Sequence, residues 1–165
     1  MNETKYNLEV LWKLIKDTRF CMLAHRHDDG SLHSHPLTMQ NKQLDASGYV
    51  YFFVGRKSEV GKRLRTDGNV NLAFANVKDD TWVSITGTAM VLEDPIKKKE
   101  LFDVMDKAWF QGPEDPELEL VAVRIDEAEY WNVKENKLLQ LLKMGKAAAT
   151  GERPQLGEHK EMHFN

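Results

Sequence analysis

The chain holds a single cysteine and no run that approaches the roughly 20 apolar residues a membrane helix needs. Cys21 has no second thiol to pair with, and its neighbours Phe20, Met22 and Leu23 suggest a buried strand position. This predicts a reducing, cytoplasmic setting. As a nucleophile Cys21 would need a base; His25, four residues on, falls on the same face of a strand, but packing is the preferred reading. Met1 is followed by Asn-Glu-Thr-Lys rather than a basic and then apolar segment, so neither a secretory leader nor a membrane span is expected. Positive charge is not in excess either: 23 Lys plus Arg stand against 26 Asp plus Glu, a formal net charge of -3, which leaves no general field for nucleic acid. Glycine-rich phosphate loops, Cys-x-x-Cys pairs and Gly-x-Ser-x-Gly elbows are all missing, as are internal repeats and low-complexity tracts.

What is present is enough for one domain: 165 residues bury roughly two thirds of their unfolded surface. Leu8, Leu11, Trp12, Leu14 and Ile15 recur at helical spacing and predict an amphipathic helix over 6–15. An apolar strand over 20–24, the turn residues Asp28-Asp29-Gly30 and a returning strand over 32–39 make a hairpin. Pro36 lacks an N–H, so the second strand belongs at an edge or carries a bulge. Further strands are expected over 49–54, 70–77, 82–92 and 120–125, with Gly87 allowing a bend. Helices are expected over 58–66, over 96–105 with Asp94 as N-cap and Pro95 at the first position, and over 134–149. Together these give an α+β, mainly β fold: a six-stranded antiparallel barrel with flanking helices over 1–150, followed by a loosely held polar tail over 151–165.

Two clusters invite chemistry. His25, His27, His33 and His35 flank one hairpin and can face each other across two strands, but no carboxylate lies at matching alternation within those strands, so no metal site is assigned. The second joins Ser34, His35, the strand Leu37, Thr38, Met39 and Gln40, and the segment from Phe53 to Lys62. Hydroxyl and imidazole donors there suit a phosphate, and free strand N–H and C=O groups suit a planar ring. The basic pairs Arg56-Lys57 and Lys62-Arg63 serve a phosphate or form a solvated helix face.

The order of segments is the most specific signal. Phe-Cys-Met-Leu-Ala at 20–24, Asp-Gly at 29–30, His-Ser-His-Pro-Leu at 33–37, Tyr-Phe-Phe-Val at 51–54, Asn-Val-Asn-Leu-Ala-Phe at 69–74, Val-Ser-Ile-Thr-Gly-Thr-Ala at 83–89, Ala-Trp-Phe at 108–110 and Ala-Glu-Tyr-Trp at 128–131 follow one another, with a Leu-Leu-Lys-Met-Gly-Lys-Ala-Ala-Ala-Thr-Gly tail at 141–151. This resembles the general stress protein branch of the pyridoxamine 5′-phosphate oxidase-like, FMN-binding split-barrel family over nearly the whole chain.

The resemblance implies a split barrel and a homodimer with FMN at the subunit interface. By position, the strand from His35 to Gln40 is similar to the one along the flavin ring and phosphate tail. Phe53 and Val54 match a pair on the next strand, and Ser58 opens the phosphate-binding turn, with Lys62 close by. Trp109 and Trp131 resemble aromatics placed near the ring, or equally ordinary interface packing.

The chain also departs from the pattern: His35 stands where the family shows arginine, His25 where it shows threonine, and Ser58-Glu59-Val60 where it shows Ser-x-Lys. An imidazole thus replaces a fixed guanidinium. Either Arg56, Lys57 or Lys62 compensates, or FMN binds weakly, or another flavin or a tetrapyrrole takes the cleft.

The expected activity is flavin-dependent oxidoreductase or flavin reductase chemistry on a small substrate, with NAD(P)H as a candidate donor. A non-catalytic flavin-binding stress module is the alternative, and a histidine-based metal- or tetrapyrrole-binding protein is a further, less favoured one. Pyridoxamine phosphate oxidation itself is disfavoured, since that enzyme type ends on Arg-x-His, whereas here Trp131 is followed by Asn-Val-Lys-Glu-Asn.

Overall fold

The computed structural model describes residues 3–133 and 137–164, the side chains of 137–139 excepted. Helix α1 (Glu3–Ile15) leads into strands β1 (Phe20–Arg26), β2 (Leu32–Thr38) and β3 (Tyr49–Gly55). The short helix α2 (Glu59–Leu64) follows, then β4 (Asn69–Asn76), β5 (Thr81–Leu92), helix α3 (Pro95–Leu101), β6 (Leu118–Asn132), helix α4 (Lys137–Thr150) and β7 (Glu158–His163).

The strands form one antiparallel sheet in the order β2-β1-β4-β5-β6-β3, with β7 added to β6. It is a mixed α+β architecture with helices flanking a sheet that curls but does not close. A single bridge between Met39 and Phe52 brings the end of β2 back toward β3. Pro36 sits in β2, which is the edge strand its missing N–H calls for.

Curvature has an identifiable source. The pairing of β5 with β6 shifts register between Thr86 and Gly87, and a Cβ on Gly87 would overlap the Arg124 carbonyl oxygen of the neighbouring strand. Only glycine lets the two backbones approach this closely.

The interior is built by alternation. On β1, Cys21, Leu23 and His25 point inward while Phe20, Met22 and Arg26 face out, and β4 repeats the pattern with Val70, Leu72 and Phe74. These join Phe52, Val83, Ile85, Val121 and Val123 in the main core, which α1 covers with Leu8, Leu11 and Ile15. A smaller core of Phe53, Leu101, Leu118 and Leu120 lies under α3.

Three expectations are corrected. The helix after Asp94 stops at Leu101 rather than Met105. The Asp103 side chain accepts from the Met105 N–H, and Asp106 accepts from the Asp103 N–H at 2.7 Å, so a 3-10 turn over Val104–Ala108 is capped separately. The last barrel strand is far longer than 120–125, running over Leu118–Asn132. The sheet has seven strands rather than six, because the expected loose tail contains β7. The sequence there has one inward apolar residue, Met162, 2% exposed; the strand exists because β6 offers it a free edge from Glu127 to Asn132.

Candidate functional site

The β1–β2 hairpin builds the most concentrated group of chemically able side chains. Its turn is closed by the His27 N–H on the Ser31 carbonyl at 2.8 Å and the Gly30 N–H on the His27 carbonyl at 3.0 Å. Gly30 takes the left-handed conformation, φ 85°, that the turn needs. Asp29 accepts from the Ser31 N–H and hydroxyl, and these bonds hold its carboxyl below the usual range.

The turn sets a register in which His25 lies opposite His33, and Leu23 opposite His35. All of these therefore share the inner face of the sheet. His25 and His35 stack with ring centroids 5.1 Å apart, and their Nε2 atoms are 3.0 Å apart. His27 and His33 stack at 4.6 Å. Burial pushes His25 below its ordinary value; a backbone contact with Arg26 and the Glu59 charge oppose this, and the His35 and His33 charges add to it. Its Nδ1 is sealed from solvent without a well-formed hydrogen bond.

Helix α2 supplies the fifth member. Ser58 is its N-cap: the hydroxyl accepts from the Gly61 N–H at 3.0 Å and donates to the Gly55 carbonyl at 2.7 Å. The cap places Glu59 at the first helical position, beneath the hairpin. There Oε1 lies 2.8 Å from His33 Nδ1 and 3.6 Å from His27 Nε2, and Oε2 lies 3.8 Å from His35 Nε2. Glu59 lies on α2, outside the strand alternation that offers no carboxylate. The signal for it was the Ser58 cap, which fixes where the next residue goes.

The other candidates are distributed differently. Ser34 is exposed on the face of β2 opposite to His33 and His35, as strand alternation requires. Leu37 and Thr38 are half-buried at the end of β2. Met39 is fully buried in the main core, and its N–H is spent on the Arg19 carbonyl at 2.7 Å. The Gln40 N–H goes to the Tyr51 carbonyl at 2.8 Å, while its side-chain amide donates to Asp106 at 3.1 Å and to the Thr38 carbonyl. Its Oε1 is buried without a partner among the described residues. Phe53 and Val54 are core residues. Trp109 is 83% exposed beyond the 3-10 turn, and Trp131 stacks on His159 of β7, centroids 5.2 Å apart. Among the described residues no hydrogen bond, ion pair or ring contact joins either tryptophan to the four hairpin histidines.

The neighbouring cations are largely engaged. Arg56 meets the Pro116 carbonyl and Glu93, Lys57 meets Glu117, Arg65 meets buried Glu119, and Arg63 binds the Arg26 carbonyl and Asp28. Cys21 is buried and its thiol is raised to about 12 by that burial, so it is packing and no nucleophile at neutral pH. Two surface cavities, of about 560 Å³ beside Lys13, Asp17 and Asp79 and about 460 Å³ beside Lys146 and Arg153, are lined by none of the candidate residues.

One feature suits a planar ligand. Beyond β1, no described strand pairs with β2 until the Met39–Phe52 bridge, so a strand edge lies open where the sheet splits from β3.

Residues 7–155 match the family described as pyridoxamine 5′-phosphate oxidase like. The chain belongs to this family. The fold is that of general stress protein 26 from Jannaschia sp. CCS1, at a TM-score of 0.72 and 20% identity, covering 99% of this chain and 100% of that one. A general stress protein from Xanthomonas citri, described as FMN/FAD binding, is 28% identical with a TM-score of 0.66, covering 81% of this chain and 92% of that one. Protein bli-3 of Neurospora crassa is 27% identical over 116 residues, which make up 64% of this chain and 56% of that protein.

A flavin nucleotide needs a surface for its ring and a grip for its phosphate. The open edge of β2 offers backbone donors and acceptors of the kind a heterocycle uses. The phosphate end is another matter: the positions expected to grip it carry a carboxylate among four imidazoles, the Ser58 hydroxyl is committed to its cap, and Lys62 is the neighbouring cation without a described side-chain partner. By itself this donor set does not fit a phosphate dianion.

Proposed function

We propose that this chain binds a flavin between two copies of itself and acts as a flavin-dependent oxidoreductase or flavin reductase on a small substrate, with NAD(P)H as donor. The observation that carries the reading is the family match over residues 7–155, in a fold that leaves the β2 edge open. FMN is the first candidate, and the misfit at the phosphate end makes another flavin form the alternative. A bound flavin would supply the electron chemistry; the protein would hold its ring and exclude water.

Self-association is supported by the outer face of the sheet. Phe20 and Met22 on β1, Trp82 on β5 and Trp131 on β6 all face outward and are 37% to 69% exposed, an apolar row a lone soluble chain rarely leaves open.

The test is direct. Purified protein should be a dimer by light scattering, take up flavin with quenching of its fluorescence, and oxidise NADPH or NADH when loaded. A monomer that ignores FMN, riboflavin and FAD would sink the proposal. A loaded dimer without turnover would favour the second reading, a flavin-binding stress module.

A further inference from the structure

We propose that His27, His33 and Glu59 form a binding site for one divalent transition-metal ion of the zinc type, backed by His35 and His25. The inference rests on this chain's own side chains and is independent of flavin binding.

The three donor atoms lie within 4.8 Å of one another. Glu59 Oε1 is 2.8 Å from His33 Nδ1 and 3.6 Å from His27 Nε2. Donors bound tetrahedrally at about 2.0–2.1 Å from a zinc ion are about 3.3 Å apart, so the observed separations bracket the required one. Glu59 is simultaneously approached on its other oxygen by His35, whose Nε2 faces His25 Nε2. At this hairpin two groups of ligand atoms, His27–His33–Glu59 and His25–His35–Glu59, each gather within 4.8 Å and share the one carboxylate.

The donor set suits a cation as well as it suits protons. A neutral imidazole has one donor nitrogen and one acceptor, and a carboxylate only accepts. Each of the three imidazoles can turn either an N–H to the carboxylate or a lone pair to a cation beside it, so one ion at Glu59 can gather the ring nitrogens that face it. A dication bound by one carboxylate and two neutral imidazoles leaves a single positive charge, and both stacked histidine pairs become ordered around it.

Accessibility separates the two groups. His27, His33 and Glu59 are 37%, 40% and 45% exposed at the side chain, so an ion can enter and retain a water as fourth ligand. His25, 1% exposed, and His35 lie behind, with His35 Nε2 3.8 Å from the second oxygen of Glu59. Imidazole and carboxylate together suit Zn²⁺ and its neighbours better than Mg²⁺ or Ca²⁺, which take oxygen ligands.

The experiment is a Zn²⁺ titration of chelator-treated, flavin-free protein at pH 7.5, followed by calorimetry and by the histidine ring signals in NMR. One equivalent is expected, with the His27 and His33 signals shifted and Mg²⁺ without effect. His33→Ala and, as a near-isosteric variant with unchanged folding, Glu59→Gln should each weaken binding 100-fold or more. His159→Ala, in the exposed group with Glu129 and Glu161, should bind as the wild type does. Stoichiometric uptake failing in the wild type, or surviving in both His33→Ala and Glu59→Gln, overturns the proposal, as does loss of binding in His159→Ala alone. Flavin uptake is a separate readout, so either idea can fail without the other.

Discussion

His35 Nε2 lies 3.0 Å from His25 Nε2 although the ladder sets Leu23, not His25, directly opposite His35. The contact is a diagonal across the β1–β2 pair, within reach because long rings lean along the strands. It places a half-buried imidazole against one that is shut from water, and charge on His35 disfavours a proton on His25.

The first prediction concerns His25. Burial lowers its folded value below the ordinary 6.5, so the fold prefers the neutral ring. In the unfolded chain the ring gains its proton near that ordinary value, earlier as pH falls than it does in the fold. Stability contributed by the neutral ring is therefore complete above about pH 6.5 and is lost as pH falls through the folded value. Urea unfolding in the presence of a chelator should show wild type weakening between pH 7.5 and 5.5 by more than His25→Gln does. Equal pH slopes for the two proteins would contradict the burial argument.

Much of the fold was legible because local chemistry and tertiary need coincide. Asp28-Asp29-Gly30 specifies the turn, Pro36 specifies an edge, and the apolar runs over 20–24 and 49–54 specify strands. The gaps have physical causes. In β7 only Met162 packs inward, so a sheet edge rather than a pattern recruits the segment. Glu59 belongs to a helix, and no strand periodicity points to it. Ser34 and His35 are adjacent in sequence yet face opposite ways, and the N–H groups of Met39 and Gln40 are used inside the chain.

A second prediction follows from the bend in β5. Gly87→Ala forces a methyl group onto the Arg124 carbonyl and should cost about 1–3 kcal/mol or more. Gly112→Ala meets nothing within 4 Å and should stay within about 0.5 kcal/mol of wild type. Denaturant midpoints of the two variants provide the comparison; a harmless Gly87→Ala would mean that the strands can part without loss.

Cys21 gives a third. With its thiol raised to about 12, roughly one part in ten thousand is thiolate at pH 8. An aromatic disulfide reagent should label native protein only as fast as the chain opens, and at once in urea. Cys21→Ala should keep the fold at a cost of about 1 kcal/mol, since it removes one sulfur from a packed core. Rapid native labelling would place Cys21 at the surface and contradict its burial.

The last prediction brings charge to bear on the choice of flavin. FMN differs from riboflavin by a phosphate, and the residues expected near that phosphate include Glu59, whose carboxylate repels it. In metal-free protein the two flavins should therefore bind with similar affinity, any gain from Lys62 being offset by Glu59. Glu59→Gln removes one negative charge while leaving the Ser58 cap in place, and should improve FMN over riboflavin by about tenfold, equivalent to about 1.4 kcal/mol. The wild type saturated with Zn²⁺ should move the same way, because a dication held at Glu59 reverses the local sign. Fluorescence quenching titrations at fixed ionic strength measure both ratios. If Glu59→Gln leaves the FMN to riboflavin ratio unchanged, the phosphate does not lie beside this carboxylate, and the placement of the flavin along β2 has to be revised.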